Sequence, residues 1–420
     1  MPARRTPRTL LAIPVLLALL CLVPTGLPDV TRAASQDPAA STSAPAPVPA
    51  PAPAPPEDTA AAKDANPGRE ATPGKDANPA EDAPPAKNAT PPKGAASAQN
   101  ATPAEDADLA LLVTRGKAPA AALLARDDSG SRFVGAGHGM ARSDHFRAGS
   151  ITKTFIATLV LQLAAERRLS LSDSVDDHLP GLVRGAGNDG RRLTLRALLT
   201  HTSGLYDFTA DTKGTVPVSP LQAVRIALTH PPADRGHFAY SNTNYVLLGM
   251  VVEQITGHSY AAEAERRIIT PLRLTGTSFP GARSSLPLPH GRAYTADGSD
   301  VTELDPRVAG AAGELVSTLA DLNRFYRALL DGDLLLPRVL HEMLNTRAAH
   351  GSYGMGLFPV KLPCGTTVWG HNGRISGSYV RTAATVDGRR VLTFRVNTDG
   401  IADPKLEPAL LAAEFCPRTS

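Results

Sequence analysis

Ser150 and Lys153 stand three residues apart in the stretch FRAGSITKTF. A hydroxyl and an amine at positions i and i+3 of a helix share one face. The amine can then take the proton whose loss makes serine a nucleophile. Lysine does this only when burial or a nearby positive charge lowers its pKa. The apolar run FIATLVLQLAA after Lys153 supplies such burial. Taken alone, the pair reads as a helix-capping serine followed by a solvated lysine. Two further motifs, each present once, change that reading. AYSNTNY contributes Tyr240 and Asn242: a phenol able to relay a proton, and an amide able to hold both the lysine and a substrate carbonyl. Asn242 is also expected to cap the helix opening at Thr243. WGHNGRISG contributes His371, Asn372, Gly373 and Arg374. The glycine lets a substrate backbone approach. The backbone N–H of Arg374, with that of Ser150, forms a candidate oxyanion hole. The structural alternative for this stretch is a tight turn carrying an exposed histidine. The chemistry implied is acyl transfer through a serine ester.

These groups need a helix, a loop and a strand to hold them. The stripe at 151, 155, 156, 159, 160 and 163 predicts a helix after Ser150. Further helical patterns are LTLRALLTH, SPLQAVRIALTH, NTNYVLLGMVVEQITG, SYAAEAERRIITPL and STLADLNRFYRALLDG, with Gly257 and Gly332 at C-caps. A short helix over 107–117 precedes two strands, Ala118–Arg126 and Ser131–Gly137, joined by DDSG. Strands return in YGMGLFPV, GTTVWG, SYVRTAATV and RRVLTFRVN, with Asp387-Gly388 as a turn, and a helix over 404–415 ends the domain. Strands at both ends and helices between predict an α+β fold. An antiparallel sheet of N- and C-terminal strands is flanked by helices, beside an all-helical lobe, with a site in the cleft.

The 420 residues are not uniform. Residues 1–34 run basic, apolar, then small, as a secretory signal does; an uncleaved anchor is the alternative. Residues 35–106 are Pro/Ala-rich with almost no large apolar side chain, a disordered linker or spacer. Residues 107–420, with regular apolar periodicity, can bury a large core as one domain or two lobes and are expected to carry the acyl-transfer site. The net charge of +3 and the lack of a long basic run in that domain argue against nucleic acid. The histidines show no metal-ligand spacing. With Cys21 in the leader, Cys364 and Cys416 remain, and in an exported chain they most simply form one disulfide; two free buried thiols are the alternative.

The order S-x-x-K, Y-x-N, H-x-G, with THTSGLYDF, YGMGL and CGTTVWGHNG, resembles the penicillin-recognising serine hydrolases. The likeness is to serine D-alanyl-D-alanine carboxypeptidases of the class C β-lactamase type, from about Leu109 to Cys416. It implies a β-lactamase/transpeptidase-like fold with Ser150, Lys153 and Tyr240 catalytic, the last two sharing the proton work. It implies substrate binding by Asn242, His371 and Gly373, and a Cys364–Cys416 disulfide; Asn372 and Arg374, which stand where those relatives carry threonines, are candidate substrate-binding residues of this chain's own. The implied partners are a peptidoglycan peptide or a β-lactam, with no cofactor, no metal and no nucleic acid. The expected state is a secreted monomer, associated with the cell wall through its spacer. The pattern departs from the family where Phe358, Pro359 and Val360 replace an arginine-bearing strand. Arg374 is then expected to take over the grip on a terminal carboxylate; otherwise the substrate has changed, to that of a β-lactamase, an esterase or a D-amino-acid amidase. A non-catalytic wall-binding or penicillin-sensing module is the reading outside enzymes. Asp207 and Glu314 are expected at surface or capping positions, and Trp369 packed beside its strand.

Overall fold

Six strands are expected to meet although more than 200 residues separate the second from the third, and they do. The computed structural model describes residues 103–417. The leader expected over 1–34 and nearly all of the spacer expected over 35–106 lie outside the described residues. The strands are β1 Ala120–Asp127, β2 Gly130–Gly137, β3 Phe358–Lys361, β4 Thr367–Ile375, β5 Ser378–Thr385 and β6 Val391–Val396. Their order is β2-β1-β6-β5-β4-β3, every neighbour antiparallel. The chain ends meet in the middle, with Ala121 opposite Val396 and Arg126 opposite Val391.

The longer helices are α1 Pro103–Thr114, α2 Thr152–Ala165, α3 Pro220–Ala227, α4 Asn242–Thr256, α5 Leu319–Leu330 and α6 Leu406–Phe415. The first begins at Pro103, four residues inside the expected spacer. Alternation along β1 serves two cores. Leu123 and Ala125 join Leu109, Leu112, Leu410 and Phe415 of α1 and α6. Ala122 and Leu124 join the larger core with α2, α4 and α5. Both faces are therefore covered, which is why β1 is buried over six consecutive residues.

Helix α2 exceeds its predicted stripe. Residues 152–161 are all buried, so the helix is enclosed on every side. Each of Phe155, Ile156, Leu159, Val160 and Leu163 is fully buried, contributing roughly 1.5–3 kcal/mol apiece. Gly257 caps α4 with φ of 74°, and Gly332 follows the end of α5 with φ of 90°. YGMGL is not a strand: β3 starts only at Phe358. Gly356 sits at φ of 80°, and a Cβ there would come within 2.6 Å of the Ala157 side chain and 2.9 Å of the Lys153 carbonyl. This loop wraps the back of α2, which extended backbone would not do. Cys364 and Cys416 form a disulfide, tying the β3–β4 turn to the end of α6.

Candidate active site

Ser150 does not cap α2. It lies in a 3₁₀ turn, Gly149–Ile151, ahead of that helix, whose N-cap is Ile151. Side-chain and backbone bonds hold this turn. The Thr152 hydroxyl donates to Gly149 O at 2.6 Å and accepts from Leu315 N at 3.0 Å, and Ala148 N donates to Leu315 O at 2.7 Å. Gly149 has φ of 52°, and a Cβ there would lie 2.8 Å from Arg374 N. A Cβ on Gly373 would lie 1.8 Å from Ala148 O. The close approach at Gly373 is thus made by the protein's own backbone. Strand β3 ends its pairing at Gly370, so residues 371–375 of β4 keep one edge free of β3 against this turn.

Lys153 is fully buried. Its Nζ lies 3.1 Å from Ser150 Oγ, 2.7 Å from Asn242 Oδ1 and 2.7 Å from Ala312 O. Burial drives its pKa down to about 7, against a smaller upward pull from the Asp207 carboxylate. Tyr240 is stacked on His201, ring centroids 4.2 Å apart, and its own centroid is 4.9 Å from Lys153 Nζ. Ser241, not Asn242, is the N-cap of α4. The Asn242 side chain is used otherwise, bonded to Lys153 on one side and to Asp207 and Thr209 on the other.

His371 is buried, not exposed. Its Nε2 is 2.9 Å from Tyr353 Oη and its Nδ1 bonds Asn372 O, and burial pushes its pKa down to about 3. Both ring nitrogens are committed within the protein, so this neutral imidazole supports the strand. The alternation of β4 sends the Asn372 side chain to the opposite face, where it sits opposite Arg381 and interacts with Tyr379. Gly373 lies at the seam with the serine turn, and Arg374 is exposed one residue on. The flank formed by β3 is aromatic: Phe358 is 5.3 Å from the His371 ring and 6.2 Å from Tyr353. Arg381 lies 4.5 Å from the Phe358 ring but is fully buried and paired with Glu407 at 3.4 Å. Trp369 packs against the larger core as expected.

Two expectations need correction. Glu314 is not at the surface: it is buried, bonded to Tyr260 Oη at 2.5 Å, and desolvation lifts its pKa to about 7. Asp207 is half-buried within reach of Asn242. Its one visible sequence signal is its place in THTSGLYDF. Among the described residues, no three His, Cys, Asp or Glu side chains gather as a metal would need.

A buried lysine beside a serine at a helix head, with an antiparallel strand edge closing the site, defines a serine hydrolase of the penicillin-recognising type. The family model described as Beta-lactamase matches residues 106–414, and the chain belongs to that family. It is 30% identical to penicillin-binding protein 4 of Amycolatopsis lactamdurans over 302 residues, 65% of this chain and 77% of that one. Its match to PbpX of Bacillus subtilis (strain 168) spans about half of that protein, 53%, at 30% identity over 51% of this chain. Among solved structures, a D-stereospecific amidohydrolase from a Streptomyces species is 41% identical, with a TM-score of 0.71, over 75% of this chain and 99% of that one. D-amino acid amidase from Ochrobactrum anthropi SV3 is 27% identical, with a TM-score of 0.66, over 74% and 96%.

Proposed function

We propose that this chain hydrolyses amide bonds at the carbonyl of a D-amino acid through an ester on Ser150. The carrying observation is the fully buried Lys153 amine placed 3.1 Å from the Ser150 hydroxyl. Ser150 Oγ attacks the carbonyl carbon as its proton passes to Lys153. The C–N bond breaks, and the leaving amine takes a proton relayed through Lys153 and Tyr240. Water then attacks the ester, and Ser150 recovers its proton. The N–H groups of Ser150 and Arg374 are assigned to the oxyanion, each such donor being worth about 10²–10³ in rate. The likeness to D-stereospecific amidohydrolases and the apolar Phe358–Val360 strand support a substrate with a neutral leaving group.

A second, narrower reading is a D-Ala-D-Ala carboxypeptidase acting on peptidoglycan stems and acylated by β-lactams. Arg374, exposed at the open strand edge, favours it. A guanidinium there can hold a terminal carboxylate by two hydrogen bonds. Purified protein should be offered D-phenylalanine amide, its L-enantiomer, an acyl-D-Ala-D-Ala peptide and a labelled penicillin, with Ser150→Ala alongside. Turnover of the D-amide but not the L-amide, lost in the variant, is the expected result. Cleavage of the peptide that falls in Arg374→Ala supports the narrower reading. An unreactive protein, or one whose Ser150→Ala variant works equally well, overturns both.

The pH dependence follows from Lys153. Its folded pKa of about 7 lies below the ordinary 10.5, and the reaction needs the neutral amine. Initial rates at low substrate should therefore rise about tenfold per unit below pH 7 and level off above it. A rate independent of pH between 5 and 8 would remove Lys153 from the role of base.

A further inference from the structure

We infer that Asp207 is a positioning residue of this reaction: its carboxylate fixes the Asn242 amide so that the carbonyl end faces Lys153. The inference rests on the reading of Ser150 as nucleophile and Lys153 as its base.

An asparagine side chain has a donating end and an accepting end of nearly equal shape. Here Nδ2 donates to Asp207 Oδ2 at 3.0 Å, to Asp207 Oδ1 at 3.3 Å and to Thr209 Oγ1 at 3.0 Å. An ionised carboxylate has no hydrogen to give. Asn242 can therefore present only its N–H side to Asp207, and Oδ1 must turn to Lys153, where it lies 2.7 Å from Nζ. Asp207 is itself fixed, because its Oδ1 accepts from Thr209 N at 3.0 Å and from Thr209 Oγ1 at 2.8 Å.

The consequence falls on the lysine lone pair. A neutral amine has two N–H groups and one lone pair. Asn242 Oδ1 and Ala312 O can only accept, so they take both N–H groups. The lone pair is left for the third neighbour, the Ser150 hydroxyl at 3.1 Å. Three acceptor or hydroxyl contacts thus become a directed base, and Asp207 removes the one alternative arrangement. Its charge also opposes the effect of burial on Lys153. The other groups facing Nζ are the rings of Tyr240 at 4.9 Å and Tyr245 at 5.6 Å and the imidazoles of His201 and His371, both held neutral by burial.

Asp207→Asn tests this with little change in volume. The new amide keeps one oxygen for Thr209 and sets its NH₂ against that of Asn242. Turning Asn242 over relieves the clash and points an N–H at Lys153, drawing the lone pair off Ser150. The readout is the rate at which an alkyl fluorophosphonate labels Ser150, followed by intact mass across pH 5–9. This probe reports serine activation whatever the natural substrate: the Oγ–P bond forms and fluoride leaves. Labelling is expected to slow about 10²-fold in Asp207→Asn. The acid limb should move to lower pH as the negative charge is lost, and Asp207→Glu should recover most of the rate. Equal labelling of Asp207→Asn and wild type, with the limb unmoved, would show that Asp207 only shapes the turn at Thr209. Equal loss in Asp207→Asn and Asp207→Glu with a lowered melting temperature would also overturn the inference. Labelling of wild type no faster than Ser150→Ala removes the parent reading and this one together.

Discussion

Lys153→Met is expected to slow acylation of Ser150 by about 10⁴-fold while the protein stays folded. Methionine nearly matches the length of lysine and suits the buried surroundings of α2. The change leaves Asn242 Oδ1 and Ala312 O without their shared donor, at a cost of about 1–3 kcal/mol each. Against that stands relief from burying an amine whose pKa burial has already pulled down from 10.5 to about 7. The fold is thus expected to survive where the chemistry does not. Lys153→Arg should be equally inactive, because a guanidinium does not lose its proton in a protein. The decisive readout is the pH profile of labelling: the limb near 7 should vanish in the methionine variant. A variant within tenfold of wild type that kept that limb would assign the limb to another group.

The second large effect is expected at Gly373→Ala. A Cβ there would lie 1.8 Å from Ala148 O, 2.8 Å from Ala148 C and 3.0 Å from Val380 Cγ1. Neither backbone can yield without parting the serine turn from β4, and that seam brings together the N–H groups assigned to the oxyanion. Loss of at least about 10²–10³ in kcat/KM follows from the donor alone, with roughly 1–3 kcal/mol of stability from overpacking. Gly400→Ala is the matched control, since nothing lies within 4 Å of a Cβ there. Thermal melts and rates on both variants separate the two contributions. A fully active Gly373→Ala would show that the seam is not needed at this spacing.

Much of this was legible in the residues because local pattern and tertiary demand agree. The stripe from Ile151 to Leu163 is α2, and alternation located β1, β2, β5 and β6 to within a few residues, while β4 runs five residues past GTTVWG, through the H-x-G motif to Ile375. Ser150, Lys153 and Asn242 are brought into contact, and Gly373 meets the serine turn, whereas His371 and Asn372 turn to partners within the protein. What escaped depends on partners far away in sequence. Ala312 is 159 residues from the lysine it accepts from, and Asp207 is 35 from the asparagine it holds. Spacing within one segment carries no trace of such contacts. Gly354 and Gly356 sat in a pattern that alternated well enough for a strand, yet packing on α2 demanded a loop. Glu314 shows the same override: an acidic residue ordinarily sits outside, but here it is enclosed beside Tyr260.

The pairing of β1 with β6 also sets when the enzyme can come into being. Residue 121 waits for residue 396. A ribosome must therefore deliver nearly the whole domain before the two central strands can join, and contacts of such long range form slowly. The helical segments can take shape from their own sequence neighbours. The serine turn cannot: it is completed against residues 373 and 374, on a strand that belongs to the closing part of the sheet. On the proposed reading, reactivity at Ser150 is accordingly acquired late in the folding of each molecule, once the strand bearing residues 373 and 374 has joined the sheet, and a chain shortened ahead of that strand is expected to carry the serine without it.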